Sequence, residues 1–260
     1  MDFIRVSTAD HVTTVTLDRP EVMNAINGAM HHELQAAFDD FAADPDQYIC
    51  VVTGAGPKAF CAGSDLKAAV AARGEPFAYP KNGYAGLAER FDCAKPLIAA
   101  VNGLALGGGF EVALACDVVI AVDTASFGLP EPLVGAIAFG GGLQRLAREI
   151  GPKRALGMIL TARRVSAAEG YRLGFVNEVV APGELDAAVA RWCAEMLRAA
   201  PPALRASKEA VYRGLDASSL QAALASQADY PAYAAWASSE DLKEGPTAFA
   251  EKRAPVWVGR

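Results

Sequence analysis

The beginning of the chain shows two different spacings of apolar residues. Phe3–Ser7 and Val12–Leu17 are rich in Val and Thr and flank a polar turn at residues 9–11, which predicts a β-hairpin. Over residues 28–43 apolar residues recur at helical intervals, which predicts a helix with one apolar side. That side carries Met30, Leu34, Phe38 and Phe41.

Short β-rich runs alternate with helical patterns as far as about residue 180. Strands are predicted at Tyr48–Thr53, Leu97–Val101, Val118–Val122 and Val176–Val180, and helices at Asp65–Arg73 and Gly108–Cys116. This alternation predicts an α/β core with a largely parallel sheet. The segment Arg73–Gly86 is rich in Gly, Pro and Tyr and is predicted to be a mobile loop.

Beyond residue 180 the pattern is helical only, with helices predicted at about 184–199, 202–214 and 217–236. The composition changes near residue 200, where Ala199-Ala-Pro-Pro202 interrupts the periodic pattern. The sequence therefore predicts an α/β core over residues 1–200 and a helical C-terminal region over residues 201–260.

Composition narrows the functional class. Hydrophobic residues make up 52% of the 260 residues, enough for a large core, while acids outnumber bases 30 to 24, which argues against a nucleic-acid surface. No apolar run approaches the roughly 20 residues of a membrane helix, and the start lacks the apolar region of a signal peptide. Five scattered cysteines without a Cys-x-x-Cys pair are typical of reduced thiols. We expect a soluble, cytoplasmic protein.

Two glutamates stand in apolar surroundings. Glu111 follows the glycine triplet 107–109 and opens an apolar run, and Glu131 is flanked by prolines and apolar side chains. Such surroundings favour the neutral carboxyl and raise its pKa, so two facing glutamates can move protons in both directions. The triplet also opens a helix whose free N–H groups suit a developing negative charge. Tight packing, with Glu111 as an ordinary first-turn acid, explains this segment alone equally well.

A second loop, Ala59-Phe-Cys-Ala-Gly-Ser-Asp-Leu66, leads into the helix that Asp65 is predicted to start. Its Ser64 N–H can point into a shared pocket, although the loop alone is typical of a capped surface turn. Ser64 is not predicted to be a nucleophile, because the chain has no Gly-x-Ser-x-Gly elbow and only three histidines.

Two other motifs are incomplete. Gly54-Ala-Gly56-Pro57-Lys58-Ala59 imitates a dinucleotide fingerprint, but no clear helix opening follows to hold a pyrophosphate. His31-His32-Glu33-Leu-Gln-Ala36 imitates a zinc-protease motif but has Ala where the second ligand must stand. The histidines are predicted to lie on the polar side of a helix, and no metal site is predicted.

Three motifs in order identify a likeness to a known family. Ala62-Gly-Ser-Asp65, Asn102-Gly-x-Ala-x-Gly-Gly-Gly-Phe-Glu111 and Phe127-Gly-x-Pro-Glu131 resemble the crotonase (enoyl-CoA hydratase/isomerase) superfamily. The likeness runs from Leu17-Asp-Arg-Pro-Glu-Val-Met-Asn-Ala25 to Gly245-Pro-Thr-Ala-Phe-Ala-Glu-Lys-Arg253 and so covers essentially the whole chain. Each motif is modest evidence, but the ordered set is highly specific.

The resemblance implies a fold and a reaction. The fold is a spiral of ββα units whose helical C-terminal region builds homotrimers or dimers of trimers. The substrate is an acyl-CoA thioester, no cofactor is needed besides that coenzyme A, and the backbone N–H groups of Ser64 and Gly108 form an oxyanion hole. The family's two catalytic glutamates match Glu111 and Glu131, whose retention favours water addition to a 2-enoyl-CoA or the reverse. In that mechanism Glu111 takes the proton of the water and Glu131 exchanges the proton at the α-carbon.

The resemblance also implies the residues that bind coenzyme A, of which the last two reach the ligand from a neighbouring subunit. They are Val22, Ala25, Lys58, Ala62, Asp65, Leu66, Phe249 and Lys252.

Three alternatives within the superfamily remain to be compared. A Δ3-Δ2-enoyl-CoA isomerase needs only one acid, and an RNA-binding relative would need a basic stripe that this acidic chain does not show. A branch acting on a trimethylammonium-bearing enoyl-CoA shares Asp65-Leu-Lys-Ala-Ala69, Gly86-Leu87 and Glu251-Lys-Arg-x-Pro-Val-Trp-x-Gly-Arg260. The chain departs from that branch at Ser64, where an aromatic residue stands, and at Phe139, where an acid stands.

Overall fold

The computed structural model describes residues 1–71 and 78–260. Arg73 and the first part of the predicted loop Arg73–Gly86 therefore lie outside the described residues. The strands are β1 (Ile4–Ala9), β2 (Val12–Leu17), β3 (Ile49–Gly54), β4 (Ala59–Cys61), β5 (Leu97–Val101), β6 (Leu104–Leu106), β7 (Val118–Val122), β8 (Ser126–Gly128), β9 (Val165–Ser166) and β10 (Glu178–Val180). The helices are α1 (Gly28–Ala43), α2 (Leu66–Ala71), α3 (Gly108–Leu114), α4 (Gly142–Ile150), α5 (Pro152–Thr161), α6 (Ala167–Leu173), α7 (Leu185–Leu197), α8 (Pro201–Asp216), α9 (Leu220–Ser226), α10 (Pro231–Ala237) and α11 (Asp241–Glu251).

The patterns at the start of the chain gave the correct elements. Strands β1 and β2 pair antiparallel, and the turn between them places Asp10 and His11 at positive φ. Helix α1 begins after Asn27, whose side chain accepts the N–H of Met30 at 2.9 Å, an N-cap. The four apolar residues predicted to share one side of α1 are all buried.

Within the described residues the strands form two sheets. The larger has the order β1-β2-β3-β5-β7-β10 and is parallel apart from the first hairpin. The smaller has the order β4-β6-β8-β9, in which β4, β6 and β8 are parallel and β9 is antiparallel. The apolar side chains of β5 and β7 are buried, as expected for central strands of a parallel sheet.

A repeated unit links the two sheets. β3, β5 and β7 of the large sheet are followed at once by β4, β6 and β8 of the small sheet. A helical segment follows each short strand: α2 after β4, α3 after β6, and a 3-10 helix at Glu131–Val134 after β8. Because the short strands are parallel neighbours, the starts of the three helical segments lie along one edge of the small sheet.

The prediction of a mobile loop over Arg73–Gly86 is wrong at the C-terminal end of that segment, which the structure describes. Tyr84–Gly86 form a buried 3-10 turn. The side chain of Gln35 on α1 holds this segment by accepting the N–H of Asn82 at 3.0 Å and donating to the Asn82 side chain at 2.8 Å. The prediction failed because a composition of Gly, Pro and Tyr does not reveal contacts with a helix about fifty residues away.

The two histidines of α1 do not share one environment. His32 is exposed, as predicted, but His31 is only 3% exposed, so a polar-side position is wrong for it. The Nδ1 atom of His31 accepts the N–H of Ala85 at 2.9 Å, which ties α1 to the buried turn.

The C-terminal helices differ from the prediction in two places: α11 (Asp241–Glu251) was not predicted, and one predicted helix is broken. The helix predicted over 217–236 is two helices, α9 and α10, because Tyr230 is extended (φ −76°, ψ 139°) before Pro231. Proline disfavours the helical conformation of its preceding residue, so the break follows from the sequence. Lys208 on α8 pairs with Asp117 at 2.7 Å and holds this region on the core. The boundary at residue 200 stays a prediction.

Membrane insertion can be checked against these helices. Among residues 1–71 and 78–260, no helix has the length and apolar character that a membrane span requires.

Candidate active site

The candidate site lies where the three parallel strands of the small sheet end. Ser64 follows β4, Gly108 is the first residue of α3 after β6, and Glu131 opens the 3-10 helix after β8. The carboxyl ends of parallel strands are the usual edge for ligand sites in α/β proteins. Sequence motifs far apart in the chain are thus brought to one edge by the repeated unit.

The N–H groups of Ser64 and Gly108 are free of hydrogen bonds to any described residue. Ser64 forms a bridge with Ile26, but the bonds of that bridge use the Gly63 carbonyl (2.8 Å) and the Asp65 N–H (2.9 Å). Gly108 stands in the first turn of α3, where an N–H has no partner within the helix. Both donors remain available for a ligand oxygen.

The two donors come from adjacent segments of backbone. A Cβ on Gly63 would lie 3.1 Å from the Gly108 nitrogen. Gly107 enters α3 at φ 54°, in the left-handed region that glycine adopts without steric cost. The glycines therefore allow the loop after β4 to lie directly against the start of α3.

Glu111 stands in the first turn of α3 with 2% of its surface exposed. Its Oε1 accepts the N–H of Gly142 at 2.9 Å. Burial raises the pKa of Glu111 to about 7, helped by the negative charge of Glu131 and opposed by the hydrogen bond from Gly142. Glu111 can therefore exchange a proton near neutral pH.

Glu131 has a buried carboxylate oxygen, Oε2, without a hydrogen-bond partner among the described residues. A Cβ on Gly107 would lie 3.0 Å from the other oxygen, so the carboxylate lies beside the start of α3. Burial raises the pKa of Glu131 above its ordinary value. A buried polar atom usually has a partner, and a water or substrate group in the cleft would supply one here.

The arrangement combines two chemical functions. Two free N–H groups can stabilise an oxyanion, and two carboxyl groups with raised pKa values can take up and release protons beside it. The described residues hold no group of three or more His, Cys, Asp or Glu side chains able to bind a metal ion. The geometry is suited to acid–base chemistry next to a carbonyl group.

We expect Glu111→Gln to stabilise the fold at pH 8. In the unfolded chain Glu111 ionises near 4.5, whereas the folded protein keeps it protonated to about 7, so stability falls as pH rises between these values. Glutamine removes that loss, which is about 3 kcal/mol for a shift of this size. Urea unfolding of both proteins at pH 8 and pH 4.5 tests this. A stability difference independent of pH would contradict a raised pKa.

Five of the predicted coenzyme A residues lie in or at the ends of two loops that are bound to each other. Arg19 donates to the Ala25 carbonyl at 2.6 Å and to Asp65 at 3.0 Å, and Ala62 donates its N–H to the Met23 carbonyl at 3.0 Å. Through these bonds the loop after the 3-10 helix Pro20–Val22 meets the loop after β4. The residues brought together are Val22, Ala25, Ala62, Asp65 and Leu66. Their contact with coenzyme A stays a prediction.

The other three predicted coenzyme A residues lie apart from these loops. Lys58 is exposed just before β4. Phe249 is 88% exposed near the end of α11, and Lys252 is its C-cap residue. Among the described residues no hydrogen bond or ion pair joins Phe249 or Lys252 to the other site residues, so their role also stays a prediction.

Sequence reasoning missed two features of the site. The first is the glycine triplet 140–142, whose last residue opens α4 and provides the N–H bound by Glu111. A second glycine triplet before a helical pattern was a visible signal. The second is Tyr84, whose side chain contacts Ser64 and Gly108. The run Tyr84-Ala-Gly-Leu-Ala88 is apolar, unlike the rest of the predicted loop, and this was its only signal.

Comparison with known families and proteins gives a consistent result. The sequence matches the family described as "Enoyl-CoA hydratase/isomerase" over residues 7–260. It is 41% identical over 259 residues to a carnitinyl-CoA dehydratase of Proteus mirabilis, covering 99% of this chain and 98% of the relative. It is 41% identical over 251 residues to a carnitinyl-CoA dehydratase of Salmonella typhi, covering 96% and 95%.

Solved structures of enoyl-CoA hydratases share the fold of this protein over the whole chain. An enoyl-CoA hydratase from Mycobacterium marinum superposes with a TM-score of 0.91 at 38% identity, covering 100% of both chains. An enoyl-CoA hydratase from Mycobacterium tuberculosis H37Rv has a TM-score of 0.91 at 36% identity, again covering 100% of both. The crotonase-like α/β fold expected from the motifs is thereby confirmed.

Proposed function

The chain belongs to the enoyl-CoA hydratase/isomerase family, and from that premise we propose that it adds water across the 2,3 double bond of a 2-enoyl-CoA thioester, or catalyses the reverse dehydration. The observation that carries this proposal is buried Glu111, together with the buried carboxylate oxygen of Glu131, beside two free N–H groups. Glu111 and Glu131 both have raised pKa values, and Ser64 and Gly108 supply the donors. Hydration needs a proton taken from the water that bonds to the β-carbon and a proton delivered to the α-carbon, and two carboxyl groups can perform these two transfers.

In the proposed mechanism the thioester oxygen lies between the N–H groups of Ser64 and Gly108. Ionised Glu111 takes a proton from a water molecule as its oxygen bonds to the β-carbon, and the electron pair of the double bond moves toward the thioester. The two N–H groups hold the resulting enolate. Protonated Glu131 then gives its proton to the α-carbon, and exchange with solvent restores both glutamates.

Coenzyme A is proposed to lie along the joined loops that carry Ala25, Ala62 and Asp65. The Arg19–Asp65 ion pair, with both side chains largely buried, holds these loops together. Lys58 would then supply a positive charge for the phosphates, and Phe249 and Lys252 would come from a neighbouring subunit. No cofactor beyond this coenzyme A is required by the mechanism.

Assembly into a homotrimer or a dimer of trimers is proposed because helices of the C-terminal half expose large apolar side chains. Soluble monomers seldom expose large apolar patches. The side chains, all more than 45% exposed, are Leu156, Leu160, Val211, Leu215, Leu220 and Leu224.

A specific acyl group is suggested by the carnitinyl-CoA dehydratases that share 41% identity. A trimethylammonium group binds against aromatic faces. Tyr79 and Tyr84 have ring centroids 5.8 Å apart, and the pKa of Tyr79 is raised by burial and, to a smaller extent, by the charge of Glu111. Crotonobetainyl-CoA is therefore our second candidate substrate. The small side chain of Ser64 and the apolar Phe139 favour a plain enoyl chain.

The proposal is tested by mixing the enzyme with crotonyl-CoA and, separately, with crotonobetainyl-CoA. We expect the conjugated enoyl absorbance to fall as water adds. The kcat/KM value should follow a bell-shaped pH profile, rising as Glu111 ionises near pH 7 and falling again as Glu131 loses the proton that it delivers to the α-carbon. A Δ3-Δ2 isomerase would instead create this absorbance from a 3-enoyl-CoA and leave crotonyl-CoA unchanged. The ratio of kcat/KM values for the two substrates decides between the acyl groups.

A further inference from the structure

Tyr84 contacts both residues that supply the free N–H groups. Its hydroxyl lies 3.2 Å from the Ser64 Oγ, within hydrogen-bonding distance. A Cβ on Gly108 would lie 2.1 Å from the Tyr84 Cζ and 2.2 Å from its hydroxyl oxygen, so the tip of the ring rests directly on the Gly108 backbone. The hydroxyl end of Tyr84 therefore lies between the two segments that form the oxyanion hole.

The other end of Tyr84 reaches the loop beside Glu111. A Cβ on Gly140 would lie 3.1 Å from the Tyr84 Cβ and 2.6 Å from Oε2 of Glu111. The Tyr84 side chain thus extends from the loop beside Glu111 to the oxyanion hole. Any movement of its ring changes the space at Gly108 and the position of the hydroxyl that meets Ser64.

Tyr84 is itself held firmly. Its ring meets His31 edge to face at 4.7 Å, and His31 also accepts the N–H of Ala85. Burial lowers the pKa of His31 to about 4, so this imidazole stays neutral and keeps its acceptor near neutral pH. Ala85 has φ 55°, a conformation uncommon for a residue with a side chain, which the surrounding contacts must maintain.

The hydrogen bond between the hydroxyls of Tyr84 and Ser64 leaves the donor of the oxyanion hole free. Burial raises the pKa of Tyr84 well above its usual value, so the phenol remains protonated. The bond uses the side chain of Ser64, whereas the backbone N–H of Ser64 has no partner among the described residues. The Ser64 peptide can therefore be oriented without its N–H being occupied.

We propose that Tyr84 is a positioning residue of the oxyanion hole: its ring fixes the Gly108 peptide and its hydroxyl fixes residue 64, so that the two N–H groups converge on one oxygen. This inference rests on the proposed function, because it requires a thioester oxygen in the hole. Placement matters because preorganised donors act only when they face the position of the developing charge, and small displacements lower the rate strongly.

Tyr84→Phe and Tyr84→Leu separate the hydroxyl from the ring. With crotonyl-CoA we expect Tyr84→Phe to lower kcat by about threefold to tenfold, the range of one neutral hydrogen bond, with KM within about twofold. Tyr84→Leu loses the ring and should lower kcat by about 10²-fold. Ser64→Ala removes the partner hydroxyl and should match Tyr84→Phe. The double variant Ser64→Ala/Tyr84→Phe should then be no slower than either single variant.

A second measurement reports directly how strongly the oxyanion hole polarises a bound thioester carbonyl. A cinnamoyl-CoA with a para-dimethylamino group absorbs at longer wavelength when its thioester carbonyl is polarised by hydrogen bonds. We expect the red shift on binding to decrease from wild type through Tyr84→Phe to Tyr84→Leu, with thermal unfolding confirming that each variant is folded. Glu111→Gln is the matched control, since it should lose the rate and keep the full shift.

Each failure has a distinct meaning. A wild-type enzyme that binds this probe without a red shift would contradict the proposed function rather than the role of Tyr84 alone. A Tyr84→Phe enzyme with wild-type kcat and red shift would overturn the role of the hydroxyl. A Tyr84→Leu enzyme that is slow but keeps the full shift would show that Tyr84 acts elsewhere, and would overturn the proposal.

Discussion

Glu111→Gln and Glu131→Gln are each expected to lower the rate of crotonyl-CoA hydration by about 10²-fold or more, the size of a lost acid–base step. Glutamine keeps the shape of the side chain but cannot exchange the proton. At position 111 its carbonyl oxygen can still accept the N–H of Gly142, so the fold should be retained. Initial rates follow from the loss of enoyl absorbance at saturating substrate, and circular dichroism checks the fold.

The double variant distinguishes a working pair from two separate contributions. Because both glutamates serve one addition of water, the double variant should be little slower than the worse single variant. Glu195→Gln makes the same chemical change on an exposed side chain of α7 and should leave the rate unchanged. Near-normal turnover in either single variant would remove that glutamate from the mechanism.

Much of the core was predictable because its patterns are local. Helix α1 has one regular apolar side, and β5 and β7 are continuous apolar runs of five residues. The short strands β4, β6 and β8 have only three residues each, too few to show a period. Their pairing also depends on distant parts of the chain. Strand β4 pairs with β6 more than forty residues later, and β6 pairs with β8 about twenty residues later.

The candidate site was also predictable only in part, because some of its residues have a local sequence signal and others do not. Glu111 and Glu131 were found because a carboxylate in an apolar sequence context signals burial, and the structure places both beside the start of α3. Tyr84 was not found because a tyrosine in a loop looks ordinary, and Gly142 was not found because a visible glycine triplet does not reveal which carboxylate its N–H will bind. Their contacts with Ser64 and Glu111 exist only after the sheets bring the segments together.

Gly108→Pro is expected to abolish most of the catalysis, because proline has no N–H to offer to the thioester oxygen. Gly108 is the first residue of α3, a position where proline is well tolerated and where no helical hydrogen bond is lost. The loss of one donor from an oxyanion hole costs about 10²- to 10³-fold in kcat. The measurement is kcat and KM for crotonyl-CoA, with the effect expected mainly in kcat.

The proper reference for this variant is Gly108→Ala rather than the wild type. Any Cβ at position 108 would lie 2.1 Å from the Tyr84 Cζ, so both variants must displace the tyrosine ring, but only alanine keeps the N–H. The difference between them therefore reports the donor itself. Ser64→Ala keeps its backbone donor and should be far milder than Gly108→Pro. Equal rates for Gly108→Ala and Gly108→Pro would mean that the Gly108 N–H does not hold the oxyanion, and that the importance of this glycine lies in the space it leaves for Tyr84.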